Sequence, residues 1–238
     1  MNGKYKSRIF KAGAVAVLVA LALGGQLLLG RNRPSGGAPA LAEGTLATLG
    51  GLRSIAAEVV WFRLDRLQDE GRYVELAQLV NVLAHLEPHT PEVWSYAAWN
   101  LAYNVSIMMP DAESRWRWVE AAISLLRDDG LRLNPKSREL HRELAWLFQL
   151  KLAADLDSAA PVYRRLWREK VEDVRKRGAW DELKMDPSEM ARVEQETGLD
   201  DWGDPLLSAI YWARLGGFPG IVRQALHQYQ KEHAKEAR

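Results

Sequence analysis

Cysteine is absent from all 238 residues of the chain. Disulfides, thiolate-bound zinc and thiol catalysis are thereby excluded, while the redox compartment stays open. The sequence also lacks a Gly-rich phosphate loop, a nucleophile elbow and an HExxH pair. No stretch sustains the apolar–polar alternation of a half-buried strand. Acidic residues are missing from positions 1–42, which carry six bases: Lys4, Lys6, Arg8, Lys11, Arg31 and Arg33. Of 32 bases in the whole chain, 26 therefore face 31 acids beyond Ala42, a net of −5. That balance is unsuited to gripping a phosphate backbone, and no nucleic-acid partner is expected.

What is present suits a helical protein. The chain is 47% hydrophobic and 26% charged, enough apolar material for a continuous core. Its 18 Gly and 10 Pro are spread as punctuation rather than gathered in a tract, which argues against wholesale disorder. Ten Trp is unusual. A bulky ring with one N–H serves either as a packing wedge or as an anchor on a binding surface.

From Ala12 to Gly30 the only strongly polar residue is Gln26, and a run of about 20 apolar residues suffices to cross a bilayer. Four bases precede it and two follow, a bias that keeps the N-terminus in the cytoplasm and sends the rest outside. The expectation is a single-pass bacterial inner-membrane protein with a periplasmic C-terminal domain. A cleaved signal peptide competes, since Ala40-Leu41-Ala42 resembles a cleavage triplet, but it lies ten residues past the apolar run, beyond Arg31, Arg33 and Pro34. Ala12, Ala16, Ala20 and Gly24 recur every fourth position and would form a flat stripe for homodimerisation of the membrane helix, although Ala is common in such spans. The organisation that follows is a basic tail and anchor over 1–33, a flexible tether over 34–44, helix-pair repeats over 45–155 and a helical extension over 156–238.

Helical spacing and stop signals predict the elements. One helix runs from Thr45 or Arg53 to Glu70 and is stopped by Gly71, and Tyr73–Leu86 follows. Thr90-Pro91 opens a third helix to Ile107, Asp111 a fourth to Leu133, and Ser137 a fifth to Leu152. Helices ending at Gly178 and opening at Asp186-Pro187, Asp204-Pro205 and Pro219 complete the pattern. The strongest signal is an internal repeat. Leu86–Trp99 returns 47 residues later as Leu133–Trp146, with Leu86/Leu133, Pro88/Pro135, Glu92/Glu139, Ala98/Ala145 and Trp99/Trp146 identical.

With these residues in view, the chain resembles the tetratricopeptide repeat family. Glu70-Gly-Arg-Tyr-Val-Glu-Leu-Ala77 followed by Leu86-Glu-Pro88 is similar to that family's second helix and closing proline, and Trp94, Ala97, Ala98 and Leu101 to its first helix. The family period of about 34 residues implies about 13 inserted near Asn104–Trp116. Leu76 stands where the family has a small residue. Arg115-Trp-Arg-Trp-Val119, Leu126-Arg-Asp-Asp-Gly-Leu131 and Ile210-Tyr-Trp-Ala213 also resemble a group of single-span bacterial helical-repeat proteins. The resemblance implies an all-α fold, a transmembrane helix followed by an α-solenoid of antiparallel helix pairs with a concave face. It places Trp61, Asp65 and Gln68 on that face, then Glu92, Ser95, Trp99 and Tyr103, then Arg142, Trp146 and Gln149, a mix suited to a partner peptide or helix. The same positions leave a second possibility, that Trp99 and Trp146 pack between repeats. Pro88 and Pro135 would end second helices, and Ala98 and Ala145 would lie where helices approach closely.

Other clusters read as ordinary structure. His85-x-Glu87-x-His89 straddles a helix end with a proline inside, whereas zinc needs three or four converging ligands. Asp128-Asp129 and Asp200-Asp201 read as solvated pairs, and the Arg164–Arg177 stretch as an exposed helix laced by weak ion pairs. The expected function is a scaffold that binds protein partners without catalysis, metal or cofactor. A membrane-tethered enzyme or a lipid or glycan-polymer binder is the alternative.

Overall fold

A computed structural model describes residues 39–236, and every described element is helical, with no strand among them. The chain falls into two units, Met1–Val59 and Val60–Arg238. The described part of the first is the amino-terminal portion of α1 (Pro39–Asp69). Residues 39–44, the end of the stretch where the sequence predicts a tether, lie within this helix. The span 12–30, with Ala12, Ala16, Ala20 and Gly24, lies outside the described residues, as do 34–38. Among the described residues no helix is long and apolar enough to cross a membrane.

The second unit contains the end of α1 and all later helices. Gly71, at φ 67°, ends α1 in the left-handed conformation that glycine adopts without a Cβ penalty. Next comes α2 (Tyr73–Leu86). Helix α3 begins as Pro91–Trp99 and continues through a wide π turn (Asn100–Val105) and a 3-10 turn (Ser106–Met108). Thr90 occupies its N-cap position, yet its side chain makes no capping bond. Helix α4 runs as Ala112–Ser124, a π turn (Leu125–Gly130) and a last turn (Leu131–Leu133). Helix α5 is Arg138–Trp146 followed by a π turn (Leu147–Ala153). Then come α6 (Ala160–Arg177), α7 (Pro187–Thr197), α8 (Pro205–Leu215) and α9 (Pro219–Glu236).

The starts are set by side chains that satisfy free N–H groups of the first turn. Asp111 accepts from Ser114 N at 2.7 Å, Ser137 from Leu140 N at 3.3 Å, Asp186 from Ser188 N at 2.7 Å and Asp204 from Leu206 N at 2.8 Å. The sequence repeat is mirrored in the backbone. Pro91–Trp99 and Arg138–Trp146 have the same nine-residue length, sit 47 residues apart, and each passes into a π turn directly after its Trp. Ala98 and Ala145 are both buried, at 1% and 0% exposed.

The core follows the apolar stripes. Leu140, Leu144, Leu147 and Phe148 of α5 are buried, and α5 packs against α3, α4 and α8. Helix α8 is buried from Pro205 to Ala213 and is covered by α5 on one side and α9 on another.

Candidate functional site

The two Leu-x-Pro corners hold α3 and α5 side by side. Trp94 Nε1 and Asn134 Nδ2 both donate to the Pro88 carbonyl at 2.9 Å, Asn134 Nδ2 also donates to Gly130 O at 3.1 Å, and His89 Nδ1 hydrogen-bonds Leu133 O at 3.2 Å. His89 is thus engaged with the backbone of the neighbouring corner, and the side chain of His85 lies outside the described residues. Gly130 lets α4 come close: a Cβ there would meet Leu140 Cδ1 at 3.2 Å and Trp94 Cβ at 3.4 Å.

Farther along the same pair of helices a cleft of about 210 Å³ opens. Ser95, Ala98, Trp99 and Tyr103 line it from α3, and Glu143, Trp146, Leu147 and Leu150 from α5. Leu126 of α4 completes the lining. Of the ten Trp, Trp94, Trp116, Trp167, Trp202 and Trp212 are buried and Trp61, Trp118 and Trp180 are half-buried. Trp99 at 44% and Trp146 at 36% are the two that stay open to solvent. Most Trp in this fold therefore serve packing, and the two at the repeated position are the most exposed.

The rings of the cleft are set by their neighbours. Trp99 and Tyr103 lie with centroids 6.0 Å apart. The Arg142 guanidinium sits 4.8 Å from the Trp146 centroid and donates through Nε and Nη2 to Glu143 Oε1 at 3.3 and 3.0 Å. Burial pushes the Glu143 carboxyl up, partly offset by Arg142. Burial likewise pushes the Tyr103 hydroxyl up to about 12, helped by Glu143.

Tyr103 also faces an ionic cluster. Lys151 Nζ lies 5.0 Å from the Tyr103 centroid and 5.8 Å from that of Tyr163, and it pairs with Asp157 Oδ2 at 2.6 Å. Asp157 further accepts from Tyr163 Oη at 3.0 Å and from Ala159 N at 3.0 Å, with Arg115 Nη1 at 3.4 Å. Burial pushes the Asp157 carboxyl up, but the bonds from Lys151, Ala159 and Tyr163 outweigh it and hold the group below the usual range.

Of the residues expected on the concave face, Ser95, Trp99, Tyr103 and Trp146 come together in this cleft, with Arg142 against Trp146. Glu92 is exposed without lining the cleft. Trp61 and Gln68 gather instead around Tyr96: the two rings are 5.6 Å apart, and Tyr96 Oη donates to Gln68 Oε1 at 2.6 Å. Asp65 is exposed on the same helix. Gln149 is 5% exposed and does not line the cleft. It lies in the π turn after Trp146, where the wider winding departs from the register of a regular repeat helix. Glu143, Leu126 and Leu150 were not anticipated. Lys151 could have been noticed as a lone charge continuing the stripe Leu140, Leu144, Leu147, with Asp157 six residues on.

The remaining clusters are structural. Asp128 is not a free solvated acid, because both its oxygens accept from Arg127, at 2.7 and 2.8 Å, and that guanidinium side chain is 6% exposed. Asp201 takes both Nη atoms of Arg168 at 2.9 Å. Arg165–Glu169 and Arg177–Asp173 are the expected exposed helix pairs. No protein-family model, curated protein or solved structure matches the chain.

Proposed function

We propose that the chain is a membrane-tethered interaction module that receives a segment of a protein partner in the cleft between α3 and α5. In this reading α3–α4 and α5–α6 are successive units of a tetratricopeptide-like stack, and residues 12–30 are the anchor that leaves the folded part outside the cytoplasm. The observation that carries it is the pair Trp99 and Trp146. They occupy one repeat position, face one cleft, and remain more than a third exposed while five other Trp are buried. Exposed Trp at the mouth of a small cavity is the residue type that dominates binding energy at protein interfaces. A volume of about 210 Å³ suits one inserted side chain rather than a drug-sized ligand, whose pockets run to roughly 300–1,000 Å³.

Site-specific photo-crosslinking in the native membrane tests the reading. Benzoylphenylalanine replacing Trp99 or Trp146 in the full chain should give the same discrete polypeptide adduct from both positions, and replacement of the exposed Leu156 on the 154–159 loop should not. In parallel, Trp99→Ala and Trp146→Ala should each cost less than the roughly 3–5 kcal/mol of a core Trp. Folded variants without an adduct above the Leu156 control would overturn the proposal, as would core-sized losses of stability at both positions.

A further inference from the structure

The cleft offers a ligand a particular set of atoms. Three aromatic rings, Trp99, Tyr103 and Trp146, form its walls, and Glu143 is the only charged residue in its lining. Both hydrogen bonds that Glu143 receives from Arg142 go to Oε1. Among the described residues no donor reaches Oε2, although the side chain is only 19% exposed. Ser95 Oγ, also in the lining, is buried without a hydrogen-bond partner. The Ser95 hydroxyl, buried and unpaired, costs free energy until a partner arrives, whereas Glu143 Oε2 is still reached by solvent. Aromatic faces together with a carboxylate attract a cation, since the ring quadrupole and the formal charge act in the same sense. The protein already uses this chemistry at the site, where the Arg142 guanidinium rests on Trp146 and bonds Glu143.

Resting on the reading of the cleft as a partner site, we propose that the side chain it receives is basic: an Arg or Lys of the partner segment, its cationic head between Trp99 and Trp146 and donating to Glu143 Oε2 and Ser95 Oγ. An uncharged aliphatic side chain would leave Ser95 Oγ unpaired and offer nothing to Glu143 Oε2. An acidic one would face Glu143. The net of −5 over residues 43–238 favours the approach of a basic segment.

The test uses the full chain in detergent, labelled with 5-fluorotryptophan, and follows fluorine NMR. Trp99→Phe and Trp146→Phe assign the two signals. The probes are acetyl-arginine amide, its uncharged isostere acetyl-citrulline amide, and acetyl-norleucine amide. The arginine probe should move both signals, and the citrulline probe should bind about tenfold more weakly. Glu143→Gln should remove most of that preference, with the unperturbed Trp signals reporting that the fold is kept. The arginine-against-citrulline comparison in the wild-type chain depends on no variant. Equal or tighter binding of norleucine would overturn the basic-residue proposal while leaving the cleft a partner site for apolar side chains. Silence from all three probes would also overturn it, and the photo-crosslinks then decide separately whether the cleft binds a partner at all.

Discussion

Asp157→Asn probes the ionic cluster against Tyr103. The Lys151 and Asp157 side chains are 4% and 9% exposed, so the ammonium relies on this one carboxylate for its charge partner. Asn keeps the shape of Asp and an oxygen for the Ala159 N–H, so the variant removes charge rather than volume. Breaking a buried pair by losing one partner costs about 3–5 kcal/mol, because the other charge is left uncompensated. At about 2–4 °C per kcal/mol for a domain of this size, the melting temperature should fall by roughly 6–20 °C. Lys151→Met with Asp157→Asn removes both members of the buried pair at similar volume, leaves the partly solvated Arg115 without its carboxylate, and should recover most of the loss. Acid supplies a second readout. The Asp157 carboxyl is held below its ordinary value, so its contribution is fully present above the unfolded value of about 3.9 and is lost as pH falls through the lowered one. The gap between wild type and Asp157→Asn should therefore hold from neutrality to about pH 5 and close below about pH 4. Thermal and urea unfolding followed by circular dichroism measure both effects. A single variant within about 1 kcal/mol of wild type, or a double variant as unstable as the single, would refute the buried-charge account.

Ala145→Leu should destabilise by about 1–3 kcal/mol in urea titration, because the site is buried, and Ala98→Leu by less where the side chain can enter the cleft it lines; a neutral Ala145→Leu would refute the close helix contact expected there. Asp128→Ala should cost about 1–2 kcal/mol by the same assay, since it strips both acceptors from a buried Arg127 while Asp128 itself is partly solvated. A value under about 0.5 kcal/mol would restore the solvated-face reading of Asp128. An export-dependent reporter fused at Arg238 should be active and a cytoplasmic one silent; the reverse pattern would invert the proposed topology.

The sequence alone was sufficient for the helical class, for most element boundaries and for the 47-residue repeat. These depend on local chemistry: Asp111, Ser137, Asp186 and Asp204 cap N–H groups two or three residues away, and Gly71 and Gly178 end helices where φ turns positive. It also singled out Trp99 and Trp146 as equivalent, but left them divided between groove and core, because periodicity reports that a position recurs and not what covers it. Tertiary packing leaves both rings partly exposed at one cleft and fixes their companions. Glu143 joins the cleft, Gln149 is buried within α5's π turn, Trp61 and Gln68 gather around Tyr96, and Lys151 finds Asp157 across the turn that leads into α6. Each outcome turns on which neighbouring element lies against a helix face. Helix α8, more than 50 residues downstream of α5, covers part of that helix and leaves the Trp146 edge open. Contacts at such separations are written in no local pattern of the chain, so only the folded arrangement brings two exposed indoles, a phenol ring and a half-satisfied carboxylate to one cleft.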